Sequence, residues 1–199
     1  VALESGIMQG DIVVNAWKKD KNLLDKNEDG ILQYVILEGE PGHQDASIRT
    51  EYVIKTITEA GINVEKLGDE IANWKRAQAE TSMSQWLKTY DDEIEIVIAN
   101  NDDMALGAID AIKKANVADP PAVVGIDGTM AGLEAVKNGD MIGTVLNDAK
   151  GQAVGVIELA YSIVFNTELP DNIELMEGKY IRKPHLMITK ENVDYYISD

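Results

Sequence analysis

The nine residues from Asp25 to Gln33 read DKNEDGILQ and set oxygen-bearing side chains at alternate positions, Asp25, Asn27 and Asp29. Gly30 follows where a calcium loop needs its sharp turn, and Gln33 takes the ninth position. Hard oxygen donors at this spacing suit calcium, a cation that takes six to eight oxygens in flexible geometry. An EF-hand loop would close with a bidentate Glu at its twelfth position. Here that position is Ile36, inside an apolar run. A cation site therefore needs a carboxylate from elsewhere in the chain. The competing reading is a polar turn ahead of a strand, ordinary chemistry for Asn, Asp and Gly.

The elements that position this loop follow from hydrophobic periodicity. Residues 4–19 carry apolar positions at helical spacing. QYVILEG is a short β-branched apolar run stopped by Gly and Pro, which predicts a buried strand at 33–38. Helices are expected at 45–60, 74–89, 102–115, 129–138 and 149–166. Strands are expected at 62–67, 94–100, 122–127, 141–146 and 180–188. Asp102 is a plausible N-cap for its helix. Strand–helix alternation of this kind predicts a parallel sheet covered on both faces.

In such sheets ligands bind beyond the carboxyl ends of the strands, near a switch in strand order. Those ends carry Gly42, His43 and Asp45, then Asn100, Asn101 and Asp102, then Asp127, then Asn147 and Asp148. Amides, carboxylates and an imidazole with fixed donor and acceptor directions suit a neutral ligand rich in hydroxyls. No glycine-rich loop with a lysine offers a phosphate cradle, and no Ser–His–Asp order suggests acyl transfer. In the flavodoxin-like strand order the first and third strands are neighbours. Glu95, at the amino end of the third, is then a candidate for the cation loop's absent carboxylate. Glu93 and Asp92 are rivals.

The bulk properties set bounds. The 199 residues are 45% hydrophobic, enough to bury a core, and contain no cysteine, hence no disulfide or thiolate chemistry. A net charge of −17 with no basic stripe argues against nucleic acid and anionic lipid as partners. No run is long enough to span a membrane. Val1 opens directly into a helical pattern, which reads as a mature or truncated piece.

DKNEDGILQ, EGEPGHQDASIRT, VIANNDDMALGA, VVGIDG and GTVLNDA together resemble the bacterial galactose/glucose-binding proteins, sugar receptors of ABC importers and of chemotaxis. The resemblance runs from about residue 5 to the C-terminus. It implies an α/β fold, a doubly wound Rossmann-like lobe of the periplasmic binding protein type I kind, plus part of a second lobe. Residues 5–147 would form the C-terminal sugar-binding lobe, 148–185 would cross into the N-terminal lobe, and 186–199 would return. It implies calcium held by Asp25, Asn27, Asp29, the Ile31 carbonyl, Gln33 and Glu95. It implies a monosaccharide, glucose or galactose, held by His43, Asp45, Arg49, Trp74, Asn101, Asp127 and Asn147, with Trp74 stacked on one face of the pyranose. A membrane permease would be the transport partner. The location would be extracytoplasmic, in the periplasm or as a lipoprotein on the outer face of the cell membrane. The family's N-terminal strand–helix units have no counterpart here, so the opposing wall would come from that lobe or a second chain.

Each residue also has a plainer reading. Asp45 can cap a helix, Arg49 can lie on a solvated face, and Asn101, Asp127 and Asn147 can serve turns at strand ends. A lone Trp usually packs in a core, and Trp17, Trp86 and the methionines are read that way. A sugar-responsive repressor's effector domain would share the fold, but the calcium-type loop and the absence of a basic helix-turn-helix speak against it. A glycosidase would need two carboxylates, one with a raised pKa. Asp45 and Asp127 are the only pair in view, and neighbouring amides and Arg49 should keep both ionised.

Overall fold

A computed structural model describes residues 2–170 and 173–197. Val1, and residues 171–172 and 198–199 within the crossing and returning segments, lie outside the described residues. The elements in chain order are α1 (Ala2–Lys19), β1 (Ile31–Glu38), α2 (Gln44–Glu59), β2 (Asn63–Ile71), α3 (Arg76–Tyr90), β3 (Ile96–Ala99), α4 (Asp102–Ala115), β4 (Ala122–Val124), α5 (Met130–Asn138), β5 (Gly143–Leu146), α6 (Ala149–Phe165), β6 (Leu186–Thr189) and α7 (Asp194–Ile197).

The strands form one sheet in the order β2-β1-β3-β4-β5-β6. Five are parallel, and β6 pairs antiparallel with β5. The expected all-parallel sheet is thus corrected at its edge, and the strand expected at 180–188 starts only at Leu186. Between Met176 and Tyr180 the chain makes a tight turn instead. The edge strand β2 is longer than expected and slips register opposite Tyr34/Val35, leaving Leu67 unpaired.

The apolar runs in β1 and β3 are explained by burial on both faces. Leu32, Tyr34, Ile36, Ile96 and Ile98 point into one core, with Val53 and Ile57 of α2 and Ile12 and Val13 of α1. Val35, Leu37, Val97 and Ala99 point into the other, with Met83 and Trp86 of α3 and Met104 and Ile109 of α4. Two close helix approaches need glycine. A Cβ at Gly10 would crowd Thr56 of α2, and one at Gly107 would overlap the Arg76 carbonyl. The expectation that Trp17, Trp86 and the methionines are core is only partly met. Met83, Met104, Met141 and Trp86 are buried, while Met130, Met176 and Met187 are exposed and Trp17 is half-buried under the Lys21 ammonium.

α6 departs from the pattern. Val156, Ile157, Ile163, Val164 and Phe165 are exposed, and only Gly155 and Ser162 of this helix are buried.

Candidate functional site

The sheet has two polar edges, one at each end of β1. At the amino edge, the Asp25–Gly30 loop closes around its own side chains. Asp25 accepts from the Gly30 amide at 3.1 Å, Asn27 Oδ1 from the Asp29 amide at 2.9 Å, and Asp29 Oδ1 from the Ile31 amide at 2.8 Å. Glu28 and Gly30 adopt left-handed backbone to make the turn. Glu95 reaches across from just before β3. Its Oε1 accepts from the Lys26 amide at 2.6 Å and its Oε2 from the Gln33 amide at 3.0 Å. Asp25 and Glu95 are each only 1% exposed.

Positive ends crowd these acids. The Lys21 ammonium pairs with Asp25. The Asn27 and Gln33 amide nitrogens lie 3.1 and 2.9 Å from Asp29 Oδ2. Burial raises the Glu95 pKa against the pull of its backbone bonds, and the Ile31 amide lowers that of Asp29. Among the described residues no group of three or more His, Asp or Glu side chains is placed to hold a metal unaided. A cation here would also draw on the Asn27, Gln33 and Ile31 oxygens. The donor types fit calcium: all are hard oxygens, and the carboxylates already gather positive charge. The side-chain amides would turn their oxygens inward.

At the carboxyl edge the strands stop and α2 to α6 begin, all but α3 on a side-chain cap. His43 Nδ1 accepts from the Asp45 amide at 3.2 Å, Asn101 Oδ1 from Met104 at 3.0 Å, Thr129 Oγ1 from Gly132 at 3.1 Å, and Asp148 Oδ1 from Gly151 at 2.8 Å. The cap of α4 is therefore Asn101, which corrects the expectation for Asp102. Asp102 begins the helix proper with its side chain fully buried. The cap of α2 is His43, not Asp45.

Arg49, 5% exposed, stands at the centre of this edge. Its Nη1 donates to the Asn100 carbonyl at 2.7 Å and lies 3.7 Å from Asp127 Oδ1; its Nη2 lies 4.0 Å from Asp45. Its Nε–H is buried with no partner among the described residues, a donor that asks for an acceptor. The guanidinium stands 5.9 Å from the Trp74 ring centroid, and the His43 ring meets that indole edge-on at 5.2 Å. Trp74 is half-buried, with left-handed backbone at both Asn73 and Trp74 turning the ring over the end of β1. α3 begins two residues later, so Trp74 belongs to the loop. There the indole occupies the place of a Gly39 side chain: any Cβ at Gly39 would overlap it.

Asp127 sits at φ 127° and Gly128 at 66°, a strained turn after β4. The Asn147 backbone amide donates to the Asp127 carbonyl at 3.0 Å. Gln152 Nε2 donates to Asn147 Oδ1 at 2.6 Å. Burial raises the Asp127 pKa, with Arg49 pulling it back down. Burial thus works against the ionised form expected of Asp127, and Arg49 works for it. A cleft of about 380 Å³ adjoins the edge, lined in part by Asp45, Arg49, Asn147 and Gln152.

Six of the seven expected sugar residues are linked by contact: His43, Asp45, Arg49, Trp74, Asp127 and Asn147. Asn101 lies on the same edge with its Oδ1 committed to the α4 cap. Four residues outside the expected sugar set build the site, two of them, Asn100 and Asp102, already placed at the strand ends by the sequence. Asn100, fully buried, accepts from the Gly39 amide at 3.1 Å and carries the Arg49 bond on its carbonyl. Gly39, Asp102 and Gln152 are the others. Of the two not so placed, Gly39 signalled the strand's end, and Gln152 carried no signal.

An open, doubly wound sheet whose polar groups converge beyond the β1/β3 switch point defines a lobe of the solute-binding kind. The chain belongs to the family described as periplasmic binding protein domain, which matches residues 2–168. It is 35% identical over 196 residues to the D-galactose/methyl-galactoside binding periplasmic protein MglB of Haemophilus influenzae, covering 98% of this chain and 58% of that protein. It is 32% identical over 199 residues to a xylitol-binding protein of Mycolicibacterium smegmatis, covering 98% of this chain and 54% of that protein. Among solved structures it superposes with a TM-score of 0.80 on an ABC transporter solute binding protein from Bacillus halodurans with bound myo-inositol, at 31% identity, covering all of this chain and 61% of that one. The chain thus spans 54–61% of the length of these three relatives.

Proposed function

We propose that this chain supplies one wall of a monosaccharide site in a solute-binding protein that feeds an ABC importer, outside the cytoplasm, with glucose or galactose as the sugar. The observation that carries the reading is the carboxyl edge itself. An indole stands half-open beside a buried guanidinium with an unspent N–H, ringed by His43, Asp45, Asp127 and Asn147. Sugars offer apolar C–H faces to aromatic rings and bidentate hydroxyl pairs to Arg and Asp. The wide ligand range named among the relatives, galactoside, xylitol and myo-inositol, is all neutral polyol. The raised Asp127 carboxyl does not make a glycosidase, because the Arg49 guanidinium 3.7 Å away favours its charged form.

The same reading gives 5–147 the sugar-binding lobe and 148–185 a passage through the opposing lobe. The exposed Val156, Ile157, Ile163, Val164 and Phe165 of α6 suit that passage, since a crossing helix is covered by the lobe it enters. Calcium would sit at the amino edge, held by Asp25, Asn27, Asp29, the Ile31 carbonyl, Gln33 and Glu95. There it would stabilise the loop and touch no sugar. Calorimetric titration of the full-length receptor with galactose, glucose, xylitol, ribose and myo-inositol tests the assignment. Tight binding of a hexose supports it; exclusive binding of another polyol moves the specificity; turnover of a chromogenic glycoside replaces it with an enzyme.

A further inference from the structure

Asp102 touches neither edge residue's exposed face, yet three elements of the sugar wall are tied to it. Its Oδ1 accepts from the Thr144 hydroxyl of β5 at 2.6 Å. Its Oδ2 accepts from the Thr129 amide at 2.8 Å and lies 3.2 Å from the Thr129 hydroxyl. Thr144 Oγ1 in turn accepts from the Gly128 amide at 3.3 Å, and Thr129 Oγ1 accepts from Gly132 at 3.1 Å to start α5. The backbone of Asp102 donates to Ile126 at 2.7 Å. Space for the carboxylate is left by two glycines: a Cβ at Gly125 or Gly132 would overlap it. The turn so fixed is the strained Asp127–Gly128 pair, whose carbonyl receives the Asn147 amide. On the other side Asp102 follows Asn101 directly.

We propose that Asp102 is a positioning residue of the sugar wall: as a carboxylate it locks the turn bearing Asp127, the end of β5 bearing Asn147 and the start of α4 bearing Asn101 into one geometry. This deepens the monosaccharide reading above and rests on it for its binding consequence. The carboxylate accepts every one of these bonds as they stand. Each bond to the Asp102 side chain is one that it accepts, and a protonated carboxyl or an amide must turn one oxygen position into a donor. At Oδ2 the donor faces the Thr129 N–H, and at Oδ1 it reverses the Thr144 bond and frees the hydroxyl proton, so the shared geometry of the turn shifts.

The groups facing Asp102 from β5 and α5 are uncharged, Thr144 and Gly132; from the β4–α5 turn it faces Thr129 and the charge of Asp127. Burial raises its carboxyl to about 7, with Thr144 and Thr129 resisting and Asp127 adding to the rise. The lock therefore opens within an accessible pH range.

The test is Asp102→Asn in the full-length receptor, with two readouts from pH 5 to 8.5. The first is the set of backbone amide signals of Gly128, Thr129 and Asn147 by NMR. They should titrate together with a midpoint near 7 in the wild type and stay flat in the variant. The second is galactose or glucose affinity by calorimetry. It should fall about tenfold in Asp102→Asn at pH 8, an amount equivalent to about 1.4 kcal/mol, and the wild type should approach the variant in acid. Thr144→Ala, which removes one donor, should give a smaller loss of the same kind and serves if Asp102→Asn fails to fold. Concerted titration without any sugar binding would uphold the positioning role and sink the sugar reading. Unchanged amide signals and unchanged affinity in a folded variant would overturn the positioning role.

Discussion

The two polar edges of the sheet are built from similar residues and end in opposite conditions. At the amino edge the side chains have turned on one another: Asn27 and Gln33 donate to Asp29, and Glu95 caps the Lys26 and Gln33 amides. At the carboxyl edge capacity is left over. Arg49 Nε is buried and unpartnered, Trp74 is half-open and His43 is exposed. A cluster that satisfies itself stabilises the chain that carries it. A cluster with unspent donors beside an open ring is shaped for something that arrives later. The difference teaches that type and spacing alone do not separate a structural polar site from a ligand site; satisfaction does.

The largest expected effect breaks the amino edge. Glu95→Ala strands the Lys26 and Gln33 amides in a buried place, at a cost of about 1–3 kcal/mol for each. Urea denaturation in chelator should show a loss of about 3 kcal/mol. A loss below about 0.5 kcal/mol would show that this edge is not structural.

Calcium is the next step down. A ligand that binds only the native state adds about 2.7 kcal/mol at a hundred times its Kd. Thermal melts with excess calcium should exceed those in chelator by several degrees, and Gln33→Ala should shrink that gap without altering sugar affinity. Superimposable melts would remove calcium from the account and leave the loop as a self-satisfied turn.

At the carboxyl edge, Trp74→Ala should weaken sugar binding by roughly 1–3 kcal/mol, the range for stacking on a flat ring. Gly39→Ala should imitate it by displacing the indole while the other sugar residues stay in place. If Gly39→Ala binds as well as wild type, the ring's position over β1 is not what the sugar uses.

A separate effect concerns stability against pH. The Asp102 carboxyl rises from an ordinary 3.8 to about 7 in the fold, so between those values the native state holds more protons than the unfolded one. Its contribution to stability is then present at low pH and is lost as pH rises toward 7. Asp102→Asn should therefore gain stability relative to wild type between pH 5 and pH 8, in urea melts at the two values, while losing sugar affinity. A constant difference would mean that Asp102 does not titrate in the fold.

Much of this was legible beforehand for physical reasons. β1 and β3 announce themselves because burial on both faces demands unbroken apolar runs, and the β1/β3 adjacency follows from the doubly wound order. That adjacency brought Glu95, rather than Glu93 or Asp92, onto the loop's amides. Less legible was β6, whose Leu186 and Met187 are exposed and give no buried-strand pattern. The identity of the caps was also hidden. Asn101 and Asp102 are both good N-cap residues, and only the Thr144 and Thr129 hydroxyls decide that Asp102 goes inward. Trp74 could not be distinguished from a core ring without Gly39, because the space it fills belongs to another strand.

One strand separates the self-satisfied amino edge from the open carboxyl edge. β1 has eight residues at ~3.3 Å each, which sets the edges about 26 Å apart. A crystal structure of the full-length receptor grown with calcium and galactose tests this directly. The account predicts the metal among Asp25, Asn27, Asp29, Gln33 and Glu95, and the sugar ring on Trp74 with Arg49 and Asp127 on its hydroxyls. A metal bridging His43 or Asp45, or a sugar bound away from Trp74, would contradict it.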